Sequence, residues 1–449
     1  MSHATVTLDP PLPARLGVGG GTSLLVRGAL LTTEPPARVW LSVDGTDIPL
    51  RARVPDQAGR GERFWAFADV PGRRARGHMS LALHIRPRAG HDFWEPLGDV
   101  ALEPDPPQAP VALRSEGGGP WVALCLATYR PDPSLLRRQV ESLRAQSHRE
   151  WIAIVSDDGS SARQRAEIER AIEGDPRFHL LPAAPHMGLY ANFERAVRAV
   201  PAWAHAVAFC DQDDRWHPGK LATTLARLDG GRPLVCCDAR VVDAGGRLLS
   251  PTLWPRMRRR TDLASLLVAN AVPGCMSLWD ARLLETVLPF PRGAAELFHD
   301  QWVACVAAAE GGIERLAEPL LDYVQHGGNA FGHGRTIDRS TGRIPLRALR
   351  GAARDRSQRR ALAAAQIDAV LRAELFARTL TLRGVAGDRR ARVALRDFAG
   401  EGRVARRIAG HATRAARAGV ERGLPGVEVT AARGVAVAAL GPRMRGWVA

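Results

Sequence analysis

The sequence predicts three successive parts: an all-β sandwich over residues 1–112, an α/β domain over 121–340 and a basic α-helical tail over 341–449, with a linker at 113–120. Three observations lead there. Apolar residues alternate with period two up to about residue 112, and from Trp121 apolar strands alternate with amphipathic helices. The charge is also lopsided. Residues 1–340 hold 39 basic and 39 acidic side chains, whereas 341–449 hold 23 and 8, so the whole formal charge of +15 sits in the last quarter.

In the first part, strands are expected at Ser23–Leu31, Arg38–Val43, Asp47–Val54, Phe64–Val70, Met79–Ile85 and Phe93–Leu102. Turn residues such as Asp44-Gly45 and Pro71-Gly72 separate them, and short strands at this spacing read as a sandwich. A Pro- and Gly-rich stretch follows, from Glu103 to Pro120. The second part opens with the apolar strand Val122–Ala127 and the amphipathic helix Ser134–Gln146. Then come the strand Trp151–Ser156, the helix Ser161–Ile172 and the strands Ala206–Cys210 and Leu234–Cys237, an alternation that implies a parallel sheet wound with helices. In the tail, Ile367, Val370, Leu371, Phe376 and Leu380 form an apolar stripe at near-helical spacing on an Ala- and Arg-rich background.

Composition excludes several classes. With 45% hydrophobic and 24% charged residues the 449-residue chain is globular rather than disordered or fibrous. Its longest uncharged run, Leu263–Trp279, is interrupted by Asn270, Pro273 and Gly274, so no membrane span is expected. The start, Met1–Leu16, has neither a basic nor an apolar leader segment, and no signal peptide is expected. The six cysteines lie in apolar runs without CxxC spacing, which suits buried free thiols in a cytoplasm better than zinc or disulfides.

The chemistry concentrates at strand ends, where ligands sit in wound sheets. The strand Trp151–Ser156 runs into Asp157-Asp158-Gly159-Ser160, and Ala206–Cys210 runs into Asp211-Gln212-Asp213-Asp214. His299-Asp300-Gln301-Trp302 precedes a later apolar segment, and the first strand ends in Thr128-Tyr129. Clustered carboxylates repel one another unless a cation compensates them, and oxygen donors without a Cys/His cluster favour Mg²⁺ or Mn²⁺. The bland alternatives are a solvated turn with a helix cap at 211–214, an acidic glycine turn at 157–160 and a capping pair at 299–300.

The ordered set Leu126-Ala127-Thr128-Tyr129-Arg130, Ser156-Asp157-Asp158-Gly159-Ser160 and Asp211-Gln212-Asp213-Asp214-Arg215-Trp216 resembles family 2 glycosyltransferases of the GT-A fold. Gly188-Leu189-Tyr190-Ala191-Asn192-Phe193-Glu194, Leu288-Pro289-Phe290-Pro291, His299-Asp300-Gln301-Trp302 and Asp322–Asn329 resemble its rhamnosyltransferase-like branch. The likeness covers about residues 121–335. It implies an α/β GT-A-like domain with Asp300 as general base and Thr128, Tyr129, Asp157, Asp158 and Asp213 around the nucleotide. Asp214, with Asp213 beside it, would hold the metal. His299, Trp302, Gln325, His326 and Asn329 would form an acceptor or diphosphate loop. Val324 stands where the family usually has arginine, and His186-Met187 replaces a more usual asparagine-containing stretch.

The implied partners are a nucleotide-sugar donor and a glycan or lipid-linked acceptor, the sugar being rhamnose from dTDP-rhamnose or, alternatively, a UDP-hexosamine, UDP-galactose or UDP-galactofuranose unit. A non-catalytic glycan- or nucleic-acid-binding protein on the same fold is the alternative from another class. The tail has three readings: helices packed on the enzyme, an anionic membrane anchor, or a nucleic-acid site. Nucleic acid is disfavoured by the few aromatics there, so the expected location is the inner face of the cell membrane. Trp40, Trp65 and Trp94 in the sandwich are candidates for stacking on sugars or for ordinary packing.

Overall fold

The computed structural model describes residues 4–55, 61–72, 77–104, 119–228, 230–253, 261–268, 270–293, 297–327, 371–385 and 387–399. Asn329, most of the expected linker and much of the tail lie outside the described residues.

The N-terminal strands are β1 (Ala4–Leu8), β2 (Arg15–Gly17), β3 (Gly21–Thr32), β4 (Arg38–Val43), β5 (Thr46–Pro49), β6 (Ala52–Pro55), β7 (Glu62–Pro71), β8 (Gly77–Arg86) and β9 (Phe93–Glu103). They form two sheets, ordered β1-β3-β7-β6 and β2-β9-β8-β4-β5. Leu24, Val26, Phe64 and Ala66 from one sheet meet Leu41, Leu83, Ile85 and Val100 from the other in a common core. Asp44 and Gly45, at φ 49° and 82°, make the tight hairpin between β4 and β5. The single strand expected over Asp47–Val54 is two strands, because the chain leaves one sheet after Pro49 and joins the other at Ala52.

The second part contains β10 (Val122–Thr128), β11 (Trp151–Asp157), β12 (Phe178–Leu180), β13 (Ala206–Cys210), β14 (Arg215–Trp216), β15 (Leu234–Asp243), β16 (Leu248–Ser250), β17 (Ser277–Asp280) and β18 (Ile313–Gln325). Their order is β12-β11-β10-β13-β17-β15-β18-β14, with β16 on β15. Around them run α1 (Pro133–Arg144), α2 (Ala162–Ile172), α3 (Leu189–Arg198), α4 (Lys220–Leu228), α5 (Leu263–Val268), α6 (Leu284–Val287) and α7 (His299–Glu310). The helix starts follow local chemistry. Asp132 accepts the N–H groups of Ser134 and Leu135 ahead of α1, and Ser161 and Gln164 form a reciprocal capping box on α2.

The expected all-parallel sheet is mixed. β10 to β13 pair in parallel, but β17 runs antiparallel between β13 and β15. Ser277–Asp280 follows directly on the short turn Gly274–Met276 and pairs antiparallel with both of its neighbours.

In the tail, residues 371–382 are helical (α8) and Arg389–Ala399 is a second helix (α9). Leu371, Phe376 and Leu380 are buried in one core with Leu25 and Phe67 of the sandwich and Trp302 of α7. Glu374 is held by Arg51 (2.9 Å) and Arg378 (2.9 Å), and Arg378 continues to Asp69 at 2.8 Å. The described part of the stripe therefore packs against the body, the first of the three readings of the tail; Ile367 and Val370 lie outside the described residues. No described helix is long and apolar enough to cross a membrane. The six cysteines are free and buried.

Candidate active site

The ends of β10, β11 and β13 lie side by side, because Thr128 registers with Asp157 and Leu126 with Cys210. Asp157 is buried and saturated within the scaffold. It accepts the Thr128 hydroxyl at 3.2 Å and the hydroxyl and N–H of Ser160 at 2.6 and 3.1 Å. Gln212 stitches two strand ends, accepting the Tyr129 N–H at 2.9 Å and donating to the Tyr129 carbonyl at 3.2 Å. The Tyr129 ring is exposed, stacks on His186 at 4.7 Å and carries the Arg130 guanidinium 4.9 Å from its centroid.

Asp158 is buried and accepts the N–H groups of Met187 at 2.6 Å and Gly188 at 3.0 Å, with His186 Nδ1 at 3.0 Å. This carboxylate thus fixes the 186–188 loop against the strand end. Gly159 permits the approach: its φ is +74°, and a Cβ there would lie 2.6 Å from the His186 nitrogen. The signature residues of α3 serve the scaffold as well. Asn192 exchanges hydrogen bonds with Ser156 (2.8 and 2.6 Å), and Glu194 takes the Phe290 N–H at 3.0 Å together with Arg198 and Arg292.

The turn after β13 separates its acids by role. Asp213 pairs with His326 Nε2 at 2.9 Å. Asp214 is only 1% exposed; its Oδ1 accepts the Val324 N–H at 3.2 Å, while its Oδ2 has no hydrogen-bond partner among the described residues. Asp211, Asp214 and Cys275 each present a ligand atom within 4.8 Å of the others. Burial, then the charges of Asp213 and Asp300, pushes Asp211 up to about 7. Burial with Asp213 and Asp211 drives Asp214 well upward too, and burial with the two acids raises the Cys275 thiol. Beneath this cluster lies Lys220, the chain's one lysine, buried with Nζ 3.2 Å from the Trp216 ring centroid. Burial lowers its pKa, against the opposite pull of Cys237, Cys210, Cys275 and Asp214.

Asp300 stands in the first turn of α7. Its Oδ1 accepts the Gln301 N–H at 2.8 Å and its Oδ2 the Gly274 N–H at 3.1 Å. Burial pushes it up to about 6, against hydrogen bonds from Gln301, Asn270 and Gly274. Gly274 leaves no spare room, since a Cβ there would lie 3.0 Å from His299 Nε2 and 3.4 Å from the Asp300 Cβ.

Two expected site residues belong to the core instead. His299 stacks on Phe193 at 3.7 Å and meets Phe209 edge-on, and burial pulls it down to about 3, so it is neutral. Trp302 is fully buried, donates Nε1–H to the Val287 carbonyl at 2.8 Å and lies 5.2 Å from Phe376. Residues three apart share a helix face, so both point inward while Asp300 is rotated toward the acids. Gln325 ends β18 in register with Asp243, and His326, the next residue, touches the acid turn.

Sequence reasoning missed Asp211 and Cys275 as members of the cluster. Asp211 carried a signal, being the first residue past an apolar strand; Cys275 carried none beyond the Pro273-Gly274 that precedes it. Two carboxylates, one with a buried oxygen that has no hydrogen-bond partner among the described residues, fit a divalent cation of the Mg²⁺ or Mn²⁺ class, whereas the Cys275 thiol, pushed upward by burial, is held in its protonated form beside them.

Residues 124–288 match the family model described as Glycosyl transferase family 2. The match runs from β10 to the end of α6, includes the 211–214 turn and stops short of Asp300. Together with the observed sheet it supports a GT-A-like glycosyltransferase domain. An uncharacterized protein of Sinorhizobium fredii is 25% identical over 230 residues, covering 50% of this chain and 24% of its own length. An uncharacterized glycosyltransferase of Nostoc sp. is 25% identical over 200 residues, covering 43% of this chain and 62% of its own. The chain thus spans less than two thirds of either relative. Among solved structures, S. aureus TarS with UDP-GlcNAc aligns at 13% identity and a TM-score of 0.40, over 72% of this chain and 92% of that one. The Pyrobaculum calidifontis mannosyltransferase PcManGT, with GDP-Man and Mn²⁺, aligns at 16% and 0.37, over 77% and 91%.

Proposed function

We propose that this protein is a metal-dependent, inverting glycosyltransferase that moves a sugar from a nucleotide-diphosphate donor to an acceptor hydroxyl. The observation that carries the reading is the opposition of two kinds of carboxylate. Half-buried Asp211 and buried Asp214 form a cluster with one oxygen that has no hydrogen-bond partner among the described residues, and Asp300 faces it from α7 with its pKa raised to about 6.

In this reading Asp211 and Asp214, with Cys275 adjacent, would hold the cation, whose contribution there would be to offset charge developing on the departing diphosphate. Tyr129 and His186 wall the nucleotide side, and Asp158 keeps their loop in place. Asp300 accepts the proton of the acceptor hydroxyl as its oxygen bonds to C1 of the sugar and the C1–O bond to the diphosphate breaks. The protonated carboxyl returns its proton to water. A carboxyl with a pKa near 6 suits this task, being largely ionised at neutral pH yet more basic than an ordinary aspartate.

The finer assignment is rhamnose from dTDP-rhamnose, delivered to a cell-surface polysaccharide or lipid-linked acceptor at the inner membrane face. It rests on the motifs resembling the rhamnosyltransferase-like branch; UDP-hexosamine, UDP-galactose and UDP-galactofuranose are the competing donors. With Leu371, Phe376 and Leu380 packed inside, membrane attachment falls to the arginines outside α8 and α9. A screen of dTDP- and UDP-sugars for release of nucleoside diphosphate tests both levels: a single preferred UDP-sugar would remove rhamnose, and no release from any donor would remove the enzyme. Loss of sedimentation with anionic liposomes on deleting 400–449 tests the attachment; undiminished sedimentation would contradict it.

A further inference from the structure

The sandwich carries an arrangement that the transferase chemistry leaves unused. Trp40, His84 and Trp94 occupy adjacent strands in direct register, Trp40 opposite His84 and His84 opposite Trp94. Their neighbours Leu41, Leu83 and Ile85 point into the core, so this row stands on the outer face of the sheet. The three rings form one stack. Trp40 and His84 lie 4.9 Å apart at 26°, and His84 and Trp94 lie 4.4 Å apart at 13°.

The middle ring is pinned from both sides. His84 Nδ1 lies 2.5 Å from Asp47 Oδ2 and Nε2 lies 3.1 Å from Asp92 Oδ2. Arg86 binds both oxygens of Asp92, at 2.6 and 3.0 Å, and places its guanidinium 5.2 Å from the Trp40 centroid. The slab is therefore held rigid before any ligand arrives. It ends at Trp94, which is 55% exposed. The next strand, β2, pairs with β9 only from Ala101 to Glu103, so among the described residues no strand flanks Trp94 on its open side.

We propose that this stack is a carbohydrate-binding platform, with a pyranose ring of a polysaccharide seated on the open face of Trp94. A pyranose is flat and apolar on its C–H face and polar around its rim. The platform has the complementary layout: an indole whose electron-rich face attracts C–H dipoles, on a stack that also carries polar groups suited to pairing with hydroxyls, the carboxylate of Asp92 at His84 and the guanidinium of Arg86 at Trp40. A fixed stack also lowers the ordering cost of binding. The transferase domain is met by other parts of the sandwich, through Leu25, Trp65 and Phe67 and through Gly17 and Gly19 against Pro289. The platform is thus a second site, suited to holding a polymeric glycan independently of the reacting end.

The test is calorimetric titration of the full chain with cellohexaose, chitohexaose and maltohexaose. Saturable binding of at least one is expected, weakened at least about tenfold by Trp94→Ala, largely kept by Trp94→Phe and unaffected by Asp300→Asn. Trp94→Ala leaves donor-dependent release of nucleoside diphosphate unchanged. The proposal is overturned if none of the three binds, if Trp94→Ala binds like the parent, or if Asp300→Asn removes the binding. A chain inactive on every donor that still binds through Trp94 keeps the platform and removes the transferase reading.

Discussion

The backbone N–H of Val324 donates to Asp214 Oδ1 at 3.2 Å, leaving the other oxygen of that carboxylate buried and without a hydrogen-bond partner among the described residues. The Val324 side chain points the opposite way, into an apolar cluster with Leu135 and Val242. Position 324, where arginine is usual in the resembling family, acts here through its backbone, which aims Asp214 from the end of β18. The charge contact that an arginine suggests is absent at this position, and the site relies on the acids themselves. Asp214→Asn is expected to weaken Mn²⁺-dependent nucleotide binding at least about tenfold while the chain stays folded, since a neutral amide retains shape but loses charge. Calorimetry with nucleoside diphosphate, with and without Mn²⁺, checks this; unaltered affinity would take Asp214 out of the cation site.

Replacing Asp300 by asparagine removes the proton acceptor and preserves volume. Turnover is expected to fall about 10²–10⁴-fold with nucleotide affinity unchanged. In the parent, activity rises with pH through a limb near 6, the value to which burial pushes Asp300. Persistence of that limb in the residual activity of Asp300→Asn would assign it to another group.

The same burial has a thermodynamic consequence of determined sign. Asp300 and Asp211 are raised to about 6 and about 7, so the folded chain binds protons more tightly than the unfolded one. Their contribution to stability is full below about pH 4 and is lost as pH rises through about 6 to 7. Asp300→Asn is therefore expected to stabilise the metal-free protein at pH 8, by roughly 1–3 kcal/mol. Thermal unfolding in EDTA at pH 4 and pH 8 measures this, and a lower melting temperature for the variant at pH 8 would contradict it.

Gly159→Ala tests the role of Asp158 without altering a charge. A Cβ at this position meets the His186 nitrogen at 2.6 Å on a backbone already at φ +74°. A cost of about 1–3 kcal/mol is expected from the strained backbone, together with a raised KM for the donor as the 186–188 loop shifts. Donor kinetics that match the parent would separate this loop from nucleotide binding.

For the tail, Glu374 is the informative residue, buried between Arg51 and Arg378. Glu374→Ala leaves two arginines facing an empty position and is expected to cost about 3–5 kcal/mol. Faster hydrogen exchange over 371–382 would report that α8 has come loose; exchange equal to the parent's would show that α8 docks without the pair.

The strand ends of the α/β domain were legible in the sequence because each apolar run stops abruptly at a polar residue, as at Thr128, Asp157 and Asp211. The sorting of the acids was not legible. Which of Asp211, Asp213 and Asp214 lies near Cys275, and which pairs with His326, depends on β18 and on the turn Gly274–Met276, both distant in sequence. His299 and Trp302 were misassigned because adjacency to Asp300 in sequence is not adjacency on a helix. The stripe Leu371–Leu380 showed that an apolar face exists, but its partner, a seam between two domains, was set by the tertiary fold.

The most direct test of the central claim is donor-dependent release of nucleoside diphosphate, measured with Mn²⁺ and again with EDTA, for the parent and Asp300→Asn across dTDP- and UDP-sugars. The predicted result is release from one class of donor by the parent, abolished by EDTA and lowered about 10²–10⁴-fold by Asp300→Asn. Release that survives both, or none from any donor, would contradict a metal-dependent transferase with Asp300 as its base.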